Sequence, residues 1–211
     1  MHLLLLRHGE TDWNSAGRIQ GHTDTPLNAR GVEQAEQLAA RVAAEGRIDA
    51  LYTSPLARAH MTAEIIARRI THTPLCDDRL KEKSLGELDG MTMLDFQQRY
   101  PDLYARWQVS QEHVPLPGEE TPPEFARRVQ TFLDDVRARH ANGARVVIVA
   151  HGGTIGMVIA TLIGLDINRR LPFWFDNASV SLMDLGGSRP RLRLLNDTCH
   201  LRNGCQQQMS K

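Results

Sequence analysis

Leu3-Leu4-Leu5-Leu6-Arg7-His8-Gly9-Glu10-Thr11 and Val146-Val147-Ile148-Val149-Ala150-His151-Gly152-Gly153-Thr154 are two copies of one template: four aliphatic residues, a variable position, then His-Gly-x-Thr. Nothing else in the chain repeats in this way. A short, unbroken aliphatic run reads as a strand buried on both faces, the habit of a parallel sheet covered by helices. A glycine after such a strand lets the chain turn sharply, and a helix or loop N-terminus there offers backbone N–H groups to an anion. Ligands of open α/β sheets sit beyond the carboxyl ends of the strands, where the strand order switches. If the two runs are neighbours, His8 and His151 meet at that edge beside Arg7, whose planar guanidinium suits a phosphate. Two imidazoles and a guanidinium at one sheet edge point to phosphate chemistry.

Outward from the first strand, residues 12–26 are rich in Gly, Asn, Asp, Thr and Pro and read as a loop over the strand's carboxyl end, well sited to hold a ligand. Asn28 is the expected cap of a helix in which Val32, Ala35, Leu38, Ala39 and Val42 recur at helical spacing until Gly46 stops it. Residues 50–53 form a second short strand, and Ser54-Pro55 caps a helix running to about Ile70. Arg58 falls in its first turn, where a cation opposes the helix dipole and a bound anion reverses that cost; a solvated side chain is the commoner fate of such an arginine. Residues 74–76 make a third strand. The charged residues 77–86 that follow read as irregular surface chain, in which Glu82, between Lys81 and Lys83, is by itself a solvated charge.

Residues 91–113 carry Phe96, Tyr100, Tyr104 and Trp107 on two short helices broken at Pro101. Core packing accounts for most such aromatics, and a lid that reads the non-phosphate part of a substrate is the sharper alternative. Thr121 as cap and Pro122 at the first helical position begin a helix to about His140 that buries Phe125, Val129, Phe132, Leu133 and Val136. Residues 154–165, apolar nearly all round, predict a helix packed deep against the sheet. Residues 177–185 and 191–195, joined through Gly186-Gly187, predict a hairpin at the sheet edge. The expected fold is a three-layer α/β/α sandwich, a mostly parallel central sheet with helices on both faces. It forms one domain over residues 1–200, with residues 91–121 as an insertion or lid over the site and residues 201–211 as a disordered tail.

Composition narrows the function classes. Lys plus Arg and Asp plus Glu number 25 each in 211 residues, so no global field attracts nucleic acid or a membrane surface. Cys76, Cys199 and Cys205 are odd in number and lack a C-x-x-C pair, which fits a reducing cytoplasm and indicates neither a disulfide framework nor a zinc knuckle. No stretch approaches the roughly 20 apolar residues of a membrane span, and the N-terminal leucine run is too short for a signal-peptide core. None of the nine histidines forms H-x-H, H-E-x-x-H or H-x-x-x-H, so no metal is expected, although a site built from His8, His151 and distant carboxylates stays open. Neither a Walker loop nor G-x-G-x-x-G occurs.

Arg7-His8-Gly9-Glu10-Thr11, continued by Trp13-Asn14, resembles the signature of the histidine phosphatases, the phosphoglycerate-mutase-like superfamily. The likeness runs on in order through Gln20-Gly21, Asp24-x-Pro26-Leu27, Ser54-Pro55-Leu56-x-Arg58-Ala59, Leu80-x-Glu82, Gly86-x-x-x-Gly90, Pro117-Gly118-x-Glu120-Thr121, His151-Gly152-Gly153 and Asn177-Ala178-Ser179. The resemblance implies that His8 is the nucleophile and becomes a phosphohistidine, and that Arg7, Arg58 and His151 surround the phosphoryl group. Asn14, Gln20, Gly21 and Gly152 match phosphate-binding positions, and Glu82 matches the proton donor. No cofactor or metal is implied. Lys83, Ser84 and Glu119 depart from the common pattern, at the rim and the insertion more than at the phosphate pocket.

A phosphatase acting on a small-molecule phosphomonoester is the expected activity. A phosphoglycerate mutase-type phosphotransferase is the runner-up, disfavoured by the short stretch from Gly90 to Pro117, and a non-catalytic phosphate-binding module is the reading from another class. The sequence carries no signal for an oligomeric state.

Overall fold

Leu3 and Leu5 enter one hydrophobic core and Leu4 and Leu6 another, so the first strand is buried on both sides. In the computed structural model, which describes residues 1–202, this strand β1 (His2–Arg7) lies inside a six-stranded sheet. The others are β2 (Ala50–Thr53), β3 (Leu75–Cys76), β4 (Arg145–Ala150), β5 (Val180–Asp184) and β6 (Arg191–Asp197), in the order β3-β2-β4-β1-β5-β6. The β2–β3, β2–β4 and β1–β4 pairs are parallel, while β5 is antiparallel to both neighbours. The sheet is therefore mostly parallel, with the expected hairpin at one edge.

Helices α2 (Ala29–Ala43) and α3 (Ala57–Ile70) cover one face with Leu38, Val42, Ile65 and Ile66; α6 (Pro122–Arg139) and α7 (Gly152–Ile163) cover the other with Phe132, Leu133, Ile155 and Ile159. The chain leaves β1 toward β2 by way of α2 and leaves β4 toward β5 by way of α7, on opposite faces and toward opposite sheet edges. The crevice this opens lies at the carboxyl ends of β1 and β4, where the two His-Gly templates end. Closeness there demands glycine: a Cβ on Gly9 would stand 2.4 Å from the Gly31 carbonyl oxygen, and one on Gly31 would stand 2.0 Å from that of Glu10.

Four local expectations are corrected. The loop over β1 contains a short helix, α1 (Asp12–Ser15), held by a capping box between Thr11 and Asn14. Helix α3 starts at Ala57 rather than on a Ser54-Pro55 cap: Leu56 at its N-cap makes no side-chain cap bond, and Asp24 Oδ1 accepts the Ala57 N–H at 2.6 Å from another loop. Val32 is exposed, and Gln34 is buried in α2 instead, because its amide oxygen accepts the Glu10 N–H at 2.8 Å. Helix α7 begins at Gly152, two residues before the expected start.

The aromatic segment forms α4 (Met93–Arg99) and α5 (Pro101–Val109), with Pro101 in the first turn of α5. Phe96 is buried in a separate small core with Leu88 and Leu116, its ring edge-on to Tyr104 at 5.3 Å and to Trp107 at 6.0 Å. Packing thus accounts for these rings. Of the tail expected from residue 201, Leu201 closes a 3-10 turn (Cys199–Leu201) and packs on the α2–α3 core, and residues 203–211 lie outside the described residues. Among the described residues no helix is long and apolar enough to cross a membrane.

Candidate active site

The register of β1 and β4 is residue for residue, Leu3 opposite Val146 through Arg7 opposite Ala150, so the next residues, His8 and His151, emerge side by side. Their ring centroids are 5.2 Å apart. Both rings are buried. His8 Nδ1 lies 2.6 Å from the Gly9 carbonyl oxygen. A carbonyl only accepts, so in the neutral ring Nδ1 carries the proton and Nε2 keeps its lone pair. Burial, then the charges of Arg7 and Arg58, hold the His8 pKa well below its ordinary value, against a smaller opposing effect of the Gly9 hydrogen bond.

His151 is fixed the other way round. Its Nδ1 accepts from Arg58 Nε at 3.2 Å, and Nε2 donates to Ser54 Oγ at 2.9 Å. Burial followed by the charge of Arg58 holds its pKa well below the ordinary value too. Ser54, expected as a helix cap, instead orients this histidine.

Arg58 is buried, with Nη1 donating to the Thr23 carbonyl at 2.8 Å and Nη2 to the Gly21 carbonyl at 2.9 Å. Burial brings its pKa down to about 10, opposed by Glu82 and Asp24, so it stays charged at neutral pH. Arg7 Nη1 donates to the Phe175 carbonyl at 2.5 Å, while its Nε is buried with no acceptor among the described residues. Burial likewise lowers the Arg7 pKa, opposed first by Glu82. A buried guanidinium N–H without an acceptor, beside Gly152 at the start of α7, is a donor available to an anion.

Glu82 sits on that same helix start. Its Oε2 accepts the Gly153 N–H at 3.0 Å, and its Oε1 accepts the N–H groups of Thr154 at 3.1 Å and Lys83 at 2.9 Å. A Cβ on Gly153 would lie 2.5 Å from Glu82 Oε1, so the carboxylate seats only against glycine. The loop carrying Glu82 is held by Arg128 of α6, whose Nη1 donates to the carbonyls of Arg79 at 2.6 Å and Lys81 at 2.8 Å and whose Nη2 donates to that of Glu82 at 2.9 Å. Glu120 pairs with the same guanidinium at 2.6 and 2.8 Å. The sequence reading missed this clamp; an arginine on a helix face gives no local sign of the loop it will reach.

The remaining site residues line the approach. Gln20 uses its amide oxygen on Thr11 Oγ1 at 3.1 Å and Thr25 Oγ1 at 2.6 Å, which turns its NH2 to other acceptors. Asn14 Oδ1 accepts from Thr11 and from Asn177 Nδ2 at 3.1 Å, and Asn177 Nδ2 also donates to the His8 carbonyl at 3.2 Å. Gly21 serves through its carbonyl on Arg58, with Asp89 packed so closely that no Cβ fits. Beside Arg7 and Glu82 opens a cleft of about 330 Å³ whose far wall is Leu171, Phe173, Trp174 and Phe175. That wall was also missed, although three aromatics within Leu-Pro-Phe-Trp-Phe were the available signal. No group of three or more His, Cys, Asp or Glu among the described residues is arranged to hold a metal ion.

Residues 3–198 match the model of the histidine phosphatase superfamily, branch 1. This chain belongs to that superfamily. Among its curated relatives is phosphoserine phosphatase 1 of Hydrogenobacter thermophilus, 36% identical over 199 residues that cover 94% of this chain and 93% of the relative. Another is phosphoglycerate mutase-like protein 4 of Arabidopsis thaliana, 36% identical over 155 residues, 72% of this chain and 67% of that one. A solved mycobacterial glucosyl-3-phosphoglycerate phosphatase superposes with a TM-score of 0.84 at 30% identity, covering 93% of this chain and 99% of its own. The α/β/α sandwich is thus the fold of histidine phosphatases, and the superfamily and these relatives support a phosphatase enzyme.

Proposed function

We propose that this histidine phosphatase hydrolyses small phosphomonoesters through a phosphohistidine on His8, with Glu82 as proton donor. The observation that carries the reading is the His8 ring, held neutral with Nδ1 on the Gly9 carbonyl and Nε2 bearing the lone pair, beside the buried guanidinium of Arg58 and the half-buried one of Arg7. Nε2 attacks phosphorus as the phosphorus–oxygen bond to the leaving alcohol breaks, and protonated Glu82 gives its proton to that oxygen. Arg7, Arg58 and His151, with Asn14, Gln20, Gly21 and the Gly152 N–H, surround the phosphoryl oxygens and stabilise the charge spread over them in the transition state. Water then attacks the phosphohistidine, Glu82 accepts its proton, and inorganic phosphate leaves with the His8 lone pair restored. Residues 91–121 are read as an insertion against the Glu82 loop, tied to it where Lys83 Nζ donates to Glu119 at 2.7 Å.

The test is phosphate release from a panel of metabolite phosphomonoesters in EDTA, with 3-phosphoglycerate assayed in parallel for isomerisation with and without 2,3-bisphosphoglycerate. Release without isomerisation is expected, abolished in His8→Ala with the fold retained. Isomerisation without release would make the chain a mutase, and turnover surviving in His8→Ala would remove the phosphohistidine route.

A further inference from the structure

We infer that the alcohol released at this site is uncharged and carries an apolar ring, so that carboxylate-bearing or doubly phosphorylated compounds are poor substrates. The inference rests on the hydrolytic reading above and adds the chemistry of the leaving group to it. If Glu82 protonates the leaving oxygen, the rest of the alcohol lies on the Glu82 side of the phosphoryl group. The space there is the cleft that Arg7 and Glu82 share with Leu171, Phe173, Trp174 and Phe175.

That wall is built against α7. A Cβ on Gly156 would be in ordinary contact with Phe175 at 3.6 Å, Phe173 at 3.7 Å and Leu171 at 3.8 Å, so the segment packs directly on this face of the helix. Phe175 is buried, whereas Trp174 is 76% exposed at the rim, its Nε1 donating to Asp176 Oδ1 at 3.2 Å. A large aromatic exposed on the edge of a polar site is a candidate stacking surface for a ring that enters later.

Charge points the same way. Arg7 is the one cation among the described residues that line the cleft, and it is engaged by the Phe175 carbonyl and assigned to the phosphoryl group. Three cations of the surrounding segments are committed elsewhere: Lys83 to Glu119, Arg128 to Glu120 and the Glu82 loop, Arg170 to the Trp107 carbonyl at 2.9 Å. A carboxylate on the leaving alcohol would instead lie against apolar side chains in the cleft and face Asp176 at its rim. An uncharged ring meets four apolar side chains and no like charge.

The experiment compares kcat/KM for 2-phenylethyl phosphate, glycerol 1-phosphate, O-phosphoserine and 3-phosphoglycerate, all esters of aliphatic alcohols. The phenyl compound is expected to exceed glycerol 1-phosphate by about tenfold, the scale set by burying a few ring carbons, with phosphoserine and phosphoglycerate lowest. Trp174→Ala, at an exposed position that leaves the core untouched, should reduce the phenylethyl-to-glycerol ratio severalfold, and Trp174→Phe should restore much of it. Phosphoserine or phosphoglycerate turned over as well as the phenyl ester, or a ratio unmoved by Trp174→Ala, overturns the inference alone. No release from any of the four overturns the hydrolytic reading on which it rests.

Discussion

Arg128 touches no substrate position, yet its replacement by Met should disable proton transfer. The guanidinium supplies three bonds to the carbonyls of Arg79, Lys81 and Glu82 and two to Glu120, and the methylene stem of Met keeps its packing over Phe125, where the guanidinium carbon now sits 4.4 Å from the ring centroid. Bonds from a charged donor contribute roughly 1.5–3 kcal/mol each. Here the side chains of Arg128 and Glu120 are 18% and 17% exposed, and water can replace part of what is lost, so about 3 kcal/mol of stability in total is the reasonable scale. Glu82 keeps its bonds to the start of α7 and the His22 Nε2 contact on its carbonyl at 2.7 Å but loses the guanidinium that ties three successive carbonyls of its loop, and a shift of about 1 Å in a catalytic group lowers turnover on the order of 100-fold.

The assay pairs an alkyl phosphate, whose leaving group needs the proton, with p-nitrophenyl phosphate, whose leaving group does not. Arg128→Met should lower kcat about 100-fold on the first and only a few-fold on the second, as Glu82→Gln should more severely. Arg128→Lys keeps the charge but not the planar fork and should recover little. In the Glu82→Gln background the Arg128→Met effect on kcat should nearly vanish, since both act on one proton. Equal losses on the two substrates, or additive losses in the double variant, would refute a positioning role and leave Arg128 as a stability element only.

Acid should unfold the protein early. His8 and His151 have folded pKa values held below the ordinary 6.5, so above about pH 6.5 both states are neutral and nothing is lost; as pH falls through 6.5 the unfolded chain gains protons that the fold excludes. Stability should then drop with a limiting slope of about 1.4 kcal/mol per pH unit per histidine, and urea melts that coincide at pH 7.5 and 5.5 would contradict it. Gly153→Ala should force Glu82 off the start of α7, given the 2.5 Å approach, and lower kcat on alkyl phosphates at least about tenfold in a still folded protein; unchanged kinetics would mean that Glu82 acts from another position.

What was legible in the chain is what repeats or alternates. The two His-Gly templates foretold parallel, doubly buried neighbours, and the spacing from Phe125 to Val136 foretold the buried stripe of α6. Arg58 was placed in a first turn, but its burial depends on the carbonyls of Gly21 and Thr23, which no spacing announces. Glu82 was distinguishable from its lysine neighbours only by family resemblance, because the partners that seat it on α7 are backbone N–H groups 71 and 72 residues away. Asp24 capping α3, Gln34 entering the core and Arg128 reaching the Glu82 loop are all side chains answering a distant backbone group. Such pairings have no period and appear only when the segments are brought together.

The distance between the two histidines is inherited from the sheet itself. Strands pair about 4.8 Å apart, and the rings, leaving adjacent strands at matching positions, stand 5.2 Å apart. Backbone hydrogen bonds, indifferent to side chains, therefore set the spacing of the proposed nucleophile and its partner histidine, while the segments at 12–26, 81–89 and 171–177 hang outside that ladder. The wall at 171–175 carries none of the groups proposed to act on phosphate, so it can change, trading one substrate for another, without the chemistry beneath it being reinvented.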